Sequence, residues 1–209
     1  MPRVIDYSIY LVTDHHYLQG RDFLTCVEQA LAGGVTLLQL REKTTTPEEF
    51  EQLARQVKKL ADSYNVPLII NDNVELARAV GAAGVHIGQD DWALERARTV
   101  LGPEAVIGVS AHTVEEALKA QCGGADYLGV GAVFPTGSEA DADVLGLDSL
   151  RAICAAVQLP VVGIGGITPA NYARVRQQGA VGCAMIAGIL GAADIKQRVQ
   201  DIKKGDGKE

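Results

Sequence analysis

The run TLLQLREKTTTP, Thr36 to Pro47, opens as a leucine-rich segment and then sets Gln39, Arg41, Glu42 and Lys43 where a buried strand would stay apolar. A guanidinium and an ammonium two residues apart can share the oxygens of a polyphosphate, one as a planar fork and the other as a compact point charge. The same pair, taken alone, also suits a surface ion pair with Glu42 or another acid. Two further segments carry oxygen donors: IINDN brings Asn71 and Asp72, and HIGQDD brings Asp90 and Asp91. Carboxylates at the ends of adjacent strands can meet at one hard cation, and Mg2+ takes one or two of them while water and phosphate fill its other positions. Each of these aspartates also precedes a helix, where capping alone would account for it. VGIGGITPAN and CAMIAGI offer backbone amides able to cradle a single phosphate, although Gly165 and Gly166 equally suit a tight turn.

Such groups need elements to hold them. LAGGVTLLQL, GAAGVHIGQ, QCGGADYLGV and QQGAVGCAMI each place a glycine-containing turn before a short apolar strand, which reads as helix, turn, strand. Their spacing is too long for one βα unit of roughly 25 to 30 residues, so each interval holds two. The remaining strands are SIYLVT, PLIIN, AVIGVS and PVVGIGG. Eight alternating units predict an α/β fold, a single-domain (β/α)8 TIM barrel over residues 1–204, with a frayed tail at 205–209. The clearest helix runs from Thr46 to Tyr64, with Thr46 as N-cap, Pro47 at its first position and Glu49 three residues past the cap.

Side chains alternate faces along a strand, so if Leu38 and Leu40 pack under the helices, Gln39 and Arg41 face the barrel axis. The same parity predicts Ile69 and Asn71, His86 and Gly88, Gly108 and Ser110, Gly129 and Gly131, and Gly163 and Gly165 inside. Polar and glycine residues thereby gather at the carboxyl ends of the strands, where barrels of this kind carry their active sites. The inward parity favours a binding mouth over a surface ion pair for Arg41 and Lys43. Together with that basic fork, the aspartates read better as cation ligands than as caps. The run from Gly131 to Gly146, after the sixth strand, reads as a lid carrying the hydroxyls of Thr136 and Ser138 for phosphate, with Pro135 stiffening its base. His86 reads first as a satisfied core histidine and second as a substrate contact, and His112 as a loop or capping residue. His15 and His16 lack zinc spacing.

With 47% hydrophobic and 22% charged residues, the chain can bury one substantial core. A formal net charge of −7 argues against nucleic acid as a partner, so any anion site is local and the expected partners are small molecules. Four scattered cysteines in apolar surroundings fit reduced thiols and a cytoplasmic location. The N-terminal apolar run is too short for a signal peptide, and no segment approaches a membrane span.

YLVTD (10–14), LLQLREK (37–43), INDN (70–73), GVHIGQDD (84–91), GVSAHT (108–113), GVGAVFPTGS (129–138), GIGGI (163–167) and AMIAGI (184–189) fall at successive strand ends. In that order they make the chain similar, along nearly its whole length, to thiamine phosphate synthase. The resemblance implies a Mg2+-dependent transferase joining 4-amino-2-methyl-5-(diphosphomethyl)pyrimidine to 4-methyl-5-(2-phosphoethyl)thiazole, with thiamine phosphate and pyrophosphate as products. It implies ionisation first and capture of a pyrimidine-stabilised carbocation by the thiazole nitrogen. By resemblance, Arg41, Lys43 and Asn71 hold pyrophosphate, and Asp72 and Asp91, the latter favoured over Asp90, hold the metal. Gln39 and Ser110 orient the pyrimidine, with Arg41, Lys43 and Ser110 the catalytic set. Thr136 and Ser138 close over the reactants, while Gly166, Ile186 and Ala187 hold the thiazole phosphate through backbone amides. Two alternatives stay open: a thiazole tautomerase-like isomerase, which needs an acid/base pair instead of a diphosphate clamp, and a non-catalytic sensor of phosphorylated ligands.

One position departs from the family pattern: Glu139 stands where a lysine usually follows FPTGS. A carboxylate in place of an ammonium near pyrophosphate raises the barrier by ~2 to 4 kcal/mol. The Glu139→Lys variant is therefore expected to turn over faster than the parent in steady-state assays, and equal rates would mean that the side chain points away from the reactants.

Overall fold

The computed structural model describes residues 4–89, 91–137 and 143–206, without the side chains of Asp91, Trp92 and Asp206. Eight parallel strands, β1 (Ile9–Val12), β2 (Leu37–Leu40), β3 (Leu68–Asn71), β4 (Gly84–Ile87), β5 (Val106–Ala111), β6 (Tyr127–Val130), β7 (Val161–Ile164) and β8 (Gly182–Met185), close into one barrel in chain order. Helices α1 (Phe23–Gly33), α2 (Pro47–Ser63), α3 (Val74–Val80), α4 (Asp91–Leu101), α5 (Val114–Cys122), α6 (Gly146–Ala156) and α7 (Tyr172–Arg176) alternate with the strands. After β8 come the short α8 (Ala187–Leu190) and then α9 (Ile195–Asp206). The expected (β/α)8 barrel is therefore the fold. Helix α9 takes in Gly205 and Asp206, the first two residues of the expected tail.

Helix α2 forms as its sequence dictates. Thr46 accepts from the Glu49 amide, Glu49 returns a carboxylate to the Thr46 amide, and Pro47 occupies the first turn. Its buried residues, Ala54, Val57 and Ala61, recur every three or four positions and dock on the barrel. Leu38, Leu40, Leu68, Ile70, Val85 and Ile87 meet such helical stripes from the outer face of the strands. A second, smaller apolar cluster of Tyr7, Tyr10, Val12, Leu37, Ile69, Val106, Tyr127, Val162 and Ala184 fills the interior.

Strand register carries the inner face around the barrel. Gln39 pairs with Ile69, Asn71 with His86, His86 with Gly108, and Ser110 with Gly129. The parity read from the sequence holds on these strands but fails on β7. Val162 and Ile164 line the interior, whereas Gly163 faces outward, where an added Cβ would lie 2.5 Å from Val175 Cγ1. Register gives the reason: Gly129 pairs with Val162 and Val130 with Gly163, and paired residues share a face. The segment PVVGIGG is apolar on both sides, so it shows no alternation from which parity could be read.

The interior is also polar at one level. Gln39 Nε2 donates to Tyr10 Oη at 2.7 Å, Tyr10 and Tyr127 share a hydroxyl hydrogen bond of 2.7 Å, and Tyr127 Oη lies 2.9 Å from His86 Nδ1. His86 Nε2 then meets Ser110 Oγ at 3.1 Å. Tyr127 lies across the axis because Gly108 leaves room for it; a Cβ there would stand 2.1 Å from the Tyr127 ring. Burial raises the hydroxyl pKa of both Tyr10 and Tyr127, so they remain neutral donors.

Burial also lowers the His86 pKa from 6.5 to about 4. The unfolded chain then takes up its proton first as pH falls, so stability is lost from pH 6.5 down to about 4. Urea unfolding across that window is expected to show a loss on the order of 2 kcal/mol that the His86→Gln variant lacks. Identical pH slopes in the two proteins would contradict a buried neutral imidazole.

Candidate active site

Arg41 is 8% exposed, too buried for a surface ion pair. Its backbone is clamped by the fully buried Thr13, whose hydroxyl accepts from Arg41 N at 3.0 Å and donates to Arg41 O at 3.2 Å. Asp14 Oδ2 receives Arg41 Nη1 at 3.3 Å and so orients the guanidinium. Glu42 folds back under the loop, where its Oε1 accepts from the Lys43 amide at 3.0 Å. Its buried Oε2 lies 2.8 Å from His15 Nε2, an ion pair when His15 is protonated, and makes no other aligned hydrogen bond among the described residues. His15 is itself stacked on Phe23, with ring centroids 4.5 Å apart. The exposed Lys43 thus extends from a braced loop. The sequence reading gives Thr13, Asp14 and His15 no role at the site, although YLVTD carries a signal for the first two as polar residues directly after a strand.

On the adjacent strand end, Asn71 and Asp72 share a cavity wall with Arg41, Lys43, Asn73, His86 and Ser110. The capping explanation fails for Asp72, because Asn73 is the N-cap of α3 and accepts from Leu76 N at 2.9 Å. Asp72 instead occupies a left-handed turn, φ 59°, that its amide fastens to His86 O at 2.8 Å. Its carboxylate accepts from Asn71 Nδ2 at 2.7 Å and is exposed toward the cavity. Asp91 opens α4, just past the end of β4, the strand next to β3. Asp91's side chain, and Asp90, Ser138 and Glu139 altogether, lie outside the described residues.

An adjoining lobe of about 980 Å³ shares Arg41, Lys43, Asn71, His86 and Ser110 with this cavity and adds Gln39. On the other side it is lined by Thr136, Gly165, Gly166, Ile186 and Ala187, with Val162, Ile164 and Met185 forming an apolar wall. The Gly165–Gly166 turn has positive φ at both residues, and a Cβ on Gly166 would stand 2.4 Å from Pro135 O, so the turn packs directly under the start of the candidate lid. Asn171 ties the turn down by donating to Gly166 O at 3.0 Å. Arg198 of α9 lines the same lobe and reaches Gly188 O at 3.3 Å. Arg21 braces the segment from outside through Leu190 O and Ala192 O. Neither arginine had a readable sequence signal, since each acts on backbone carbonyls of a remote segment. His112 lines the lobe while its amide donates to Glu116 beside the Thr113 cap of α5, in keeping with a loop residue.

The mouth therefore has two polar ends joined by an apolar wall: a cationic and carboxylate-bearing end at β2 to β4, and an amide-rich end at β7 and β8. Comparison with known proteins identifies the family. Residues 9–189 match the family model for thiamine monophosphate synthase. The thiamine-phosphate synthase of Clostridium tetani is 46% identical over 198 residues, 95% of each chain. That of Desulfitobacterium hafniense is 51% identical over 191 residues, 91% of this chain and 92% of the relative. The solved thiamine phosphate pyrophosphorylase of Pyrococcus furiosus superposes with a TM-score of 0.87 at 36% identity, covering 96% of this chain and 95% of that one. A barrel with this mouth and these relatives has one assignment: the chain is an enzyme of the thiamine phosphate synthase family.

Proposed function

We propose that the cavity binds the aminopyrimidine methyl diphosphate and the thiazole phosphate side by side and couples them to thiamine phosphate. The observation that supports this reading is a pair of adjoining pockets that share Arg41, Lys43, Asn71, His86 and Ser110, one carrying Asp72 and the other Gln39, Gly166, Ile186 and Ala187. In the proposed step the bond between the pyrimidine methylene carbon and the diphosphate oxygen breaks, and its electron pair leaves with pyrophosphate. The lone pair of the thiazole nitrogen then forms the new carbon–nitrogen bond. No proton transfer is required at the reacting atoms, which suits a site rich in charge stabilisation.

Arg41 and Lys43 meet the charge that develops on the departing oxygens, and the Asn71 amide donates to the same group. Arg41 is effective because Thr13 and Asp14 fix it in advance, so little reorganisation accompanies the step. Gln39 and Ser110 orient the pyrimidine. Gly166, Ile186 and Ala187 hold the thiazole phosphate, and Thr136 with Ser138 covers the reactants. Asp72 suits Mg2+: it offers hard carboxylate oxygen into the cavity, is not consumed by capping, and stands beside groups suited to phosphate. Asp72 and Asp91 would hold that ion, which when bound supplies charge neutralisation on the diphosphate. We place the reaction among small molecules in the cytoplasm, supported by the wide scatter of the four cysteines along the sequence and the acidic net charge.

Incubation with both substrates and Mg2+ is expected to yield thiamine phosphate and pyrophosphate, and Asp72→Asn to lower kcat by about 100-fold. Binding of the thiazole phosphate without product would contradict catalysis, and isomerisation of a thiazole carboxylate would replace the proposed reaction with a tautomerase.

A further inference from the structure

We infer that Tyr10, Tyr127 and His86 form a proton-ordered relay that fixes which atoms Gln39 and Ser110 present to the pyrimidine, and so selects a 4-amino over a 4-oxo ring. The inference rests on the reading that Gln39 and Ser110 face that ring. Its basis is the count of hydrogens along the four contacts between Gln39 and Ser110.

Gln39 donates through Nε2 to Tyr10 Oη, so the single Tyr10 hydrogen is left for Tyr127. Tyr127 Oη then accepts from Tyr10, and its own hydrogen goes to His86 Nδ1. A neutral imidazole carries one N–H, which this places on Nε2, facing Ser110 Oγ. Ser110 accepts there, and its hydroxyl hydrogen is left to point into the cavity. At the opposite end, Gln39 Oε1 is left as an acceptor. The ring of His86 packs against β6 where Gly129 leaves it room; a Cβ there would lie 2.9 Å from His86 Cε1.

An acceptor on β2 and a donor on β5 match a 4-aminopyrimidine, which offers an exocyclic N–H donor beside a ring nitrogen acceptor. A 4-oxo ring reverses that pattern, with a carbonyl acceptor beside a ring N–H. Turning over the Gln39 amide would reverse every hydrogen in the chain, put the proton on His86 Nδ1, and favour the oxo ring. The relay therefore carries the recognition pattern as a single choice. Tyr127 reaches the ring only through its neighbours and is a positioning residue, while Tyr10 and His86 also line the lobe.

Two measurements test this. In the full-length protein labelled with 15N-histidine, long-range proton–nitrogen correlation should show His86, assigned by its loss in His86→Gln, as the Nε2–H tautomer. Calorimetry without thiazole phosphate should show wild type preferring the 4-amino pyrimidine diphosphate over its 4-oxo counterpart. In Tyr127→Phe that preference should shrink by about tenfold, the factor of one ordinary hydrogen bond, while thiazole phosphate affinity stays within about twofold. An Nδ1–H tautomer, or an unchanged preference in Tyr127→Phe, would overturn the relay. The Nε2–H tautomer in a protein that binds neither pyrimidine would support the proton order and overturn its role in recognition, and with it the proposed function.

Discussion

The parity of strands β2 to β5 is the constraint on which the rest of the structure depends. In a parallel barrel each side chain faces either the axis or the helices, and a register slip of one residue would exchange the two sets. Here the outer set is leucine, isoleucine and valine, whose burial under the helices holds the strands in place. Burying such a side chain is worth about 1.5 to 3 kcal/mol, so moving several of them to the interior is prohibitively unfavourable. The inner set is thereby fixed as Gln39, Asn71, His86 and Ser110, with Arg41 just beyond the end of β2. The polar mouth is thus positioned by hydrophobic burial on the opposite face of the same strands.

Filling the interior sets how deep that mouth goes. Two tyrosines, Tyr10 and Tyr127, cross the axis at mid-height, their ring centroids 6.0 Å apart, and Tyr7 packs below with its centroid 4.9 Å from Tyr127. Large rings can meet there because Gly108 supplies no side chain. The resulting floor is apolar beneath and hydroxyl-bearing above, and buried hydroxyls require partners. Gln39 and His86 satisfy them. The packing requirement of the core and the recognition pattern of the cavity are therefore met by the same side chains.

Much of this was legible in local sequence. Eight strands, four of them preceded by glycine turns, the capping box of α2 and the inward Gln39 and Arg41 follow from spacing and alternation, which are short-range properties. What escaped was long-range or degenerate. The facing of β7 could not be read from PVVGIGG, since both faces are apolar and only pairing with β6 decides it. Thr13 and Asp14 act on Arg41 from another strand, and Tyr10 meets Tyr127 across 117 positions of chain. The choice between Asp72 and Asn73 as the α3 cap rests on a left-handed turn at Asp72 that adjacent polar residues do not disclose. The satisfied-histidine reading of His86 holds, since both ring nitrogens have partners, but the half-buried ring also lines the cavity itself.

The central claim is that the braced guanidinium of Arg41 meets a diphosphate at the cationic end of the mouth, independently of the amide-rich end. Calorimetric titration with pyrophosphate and Mg2+ into wild type and Arg41→Met tests it most directly, with thiazole phosphate titrated in parallel. The account predicts pyrophosphate binding weakened by about tenfold or more in the variant, in line with loss of a charged hydrogen-bond partner, and thiazole phosphate binding unchanged. Equal pyrophosphate affinity in the two proteins would contradict it.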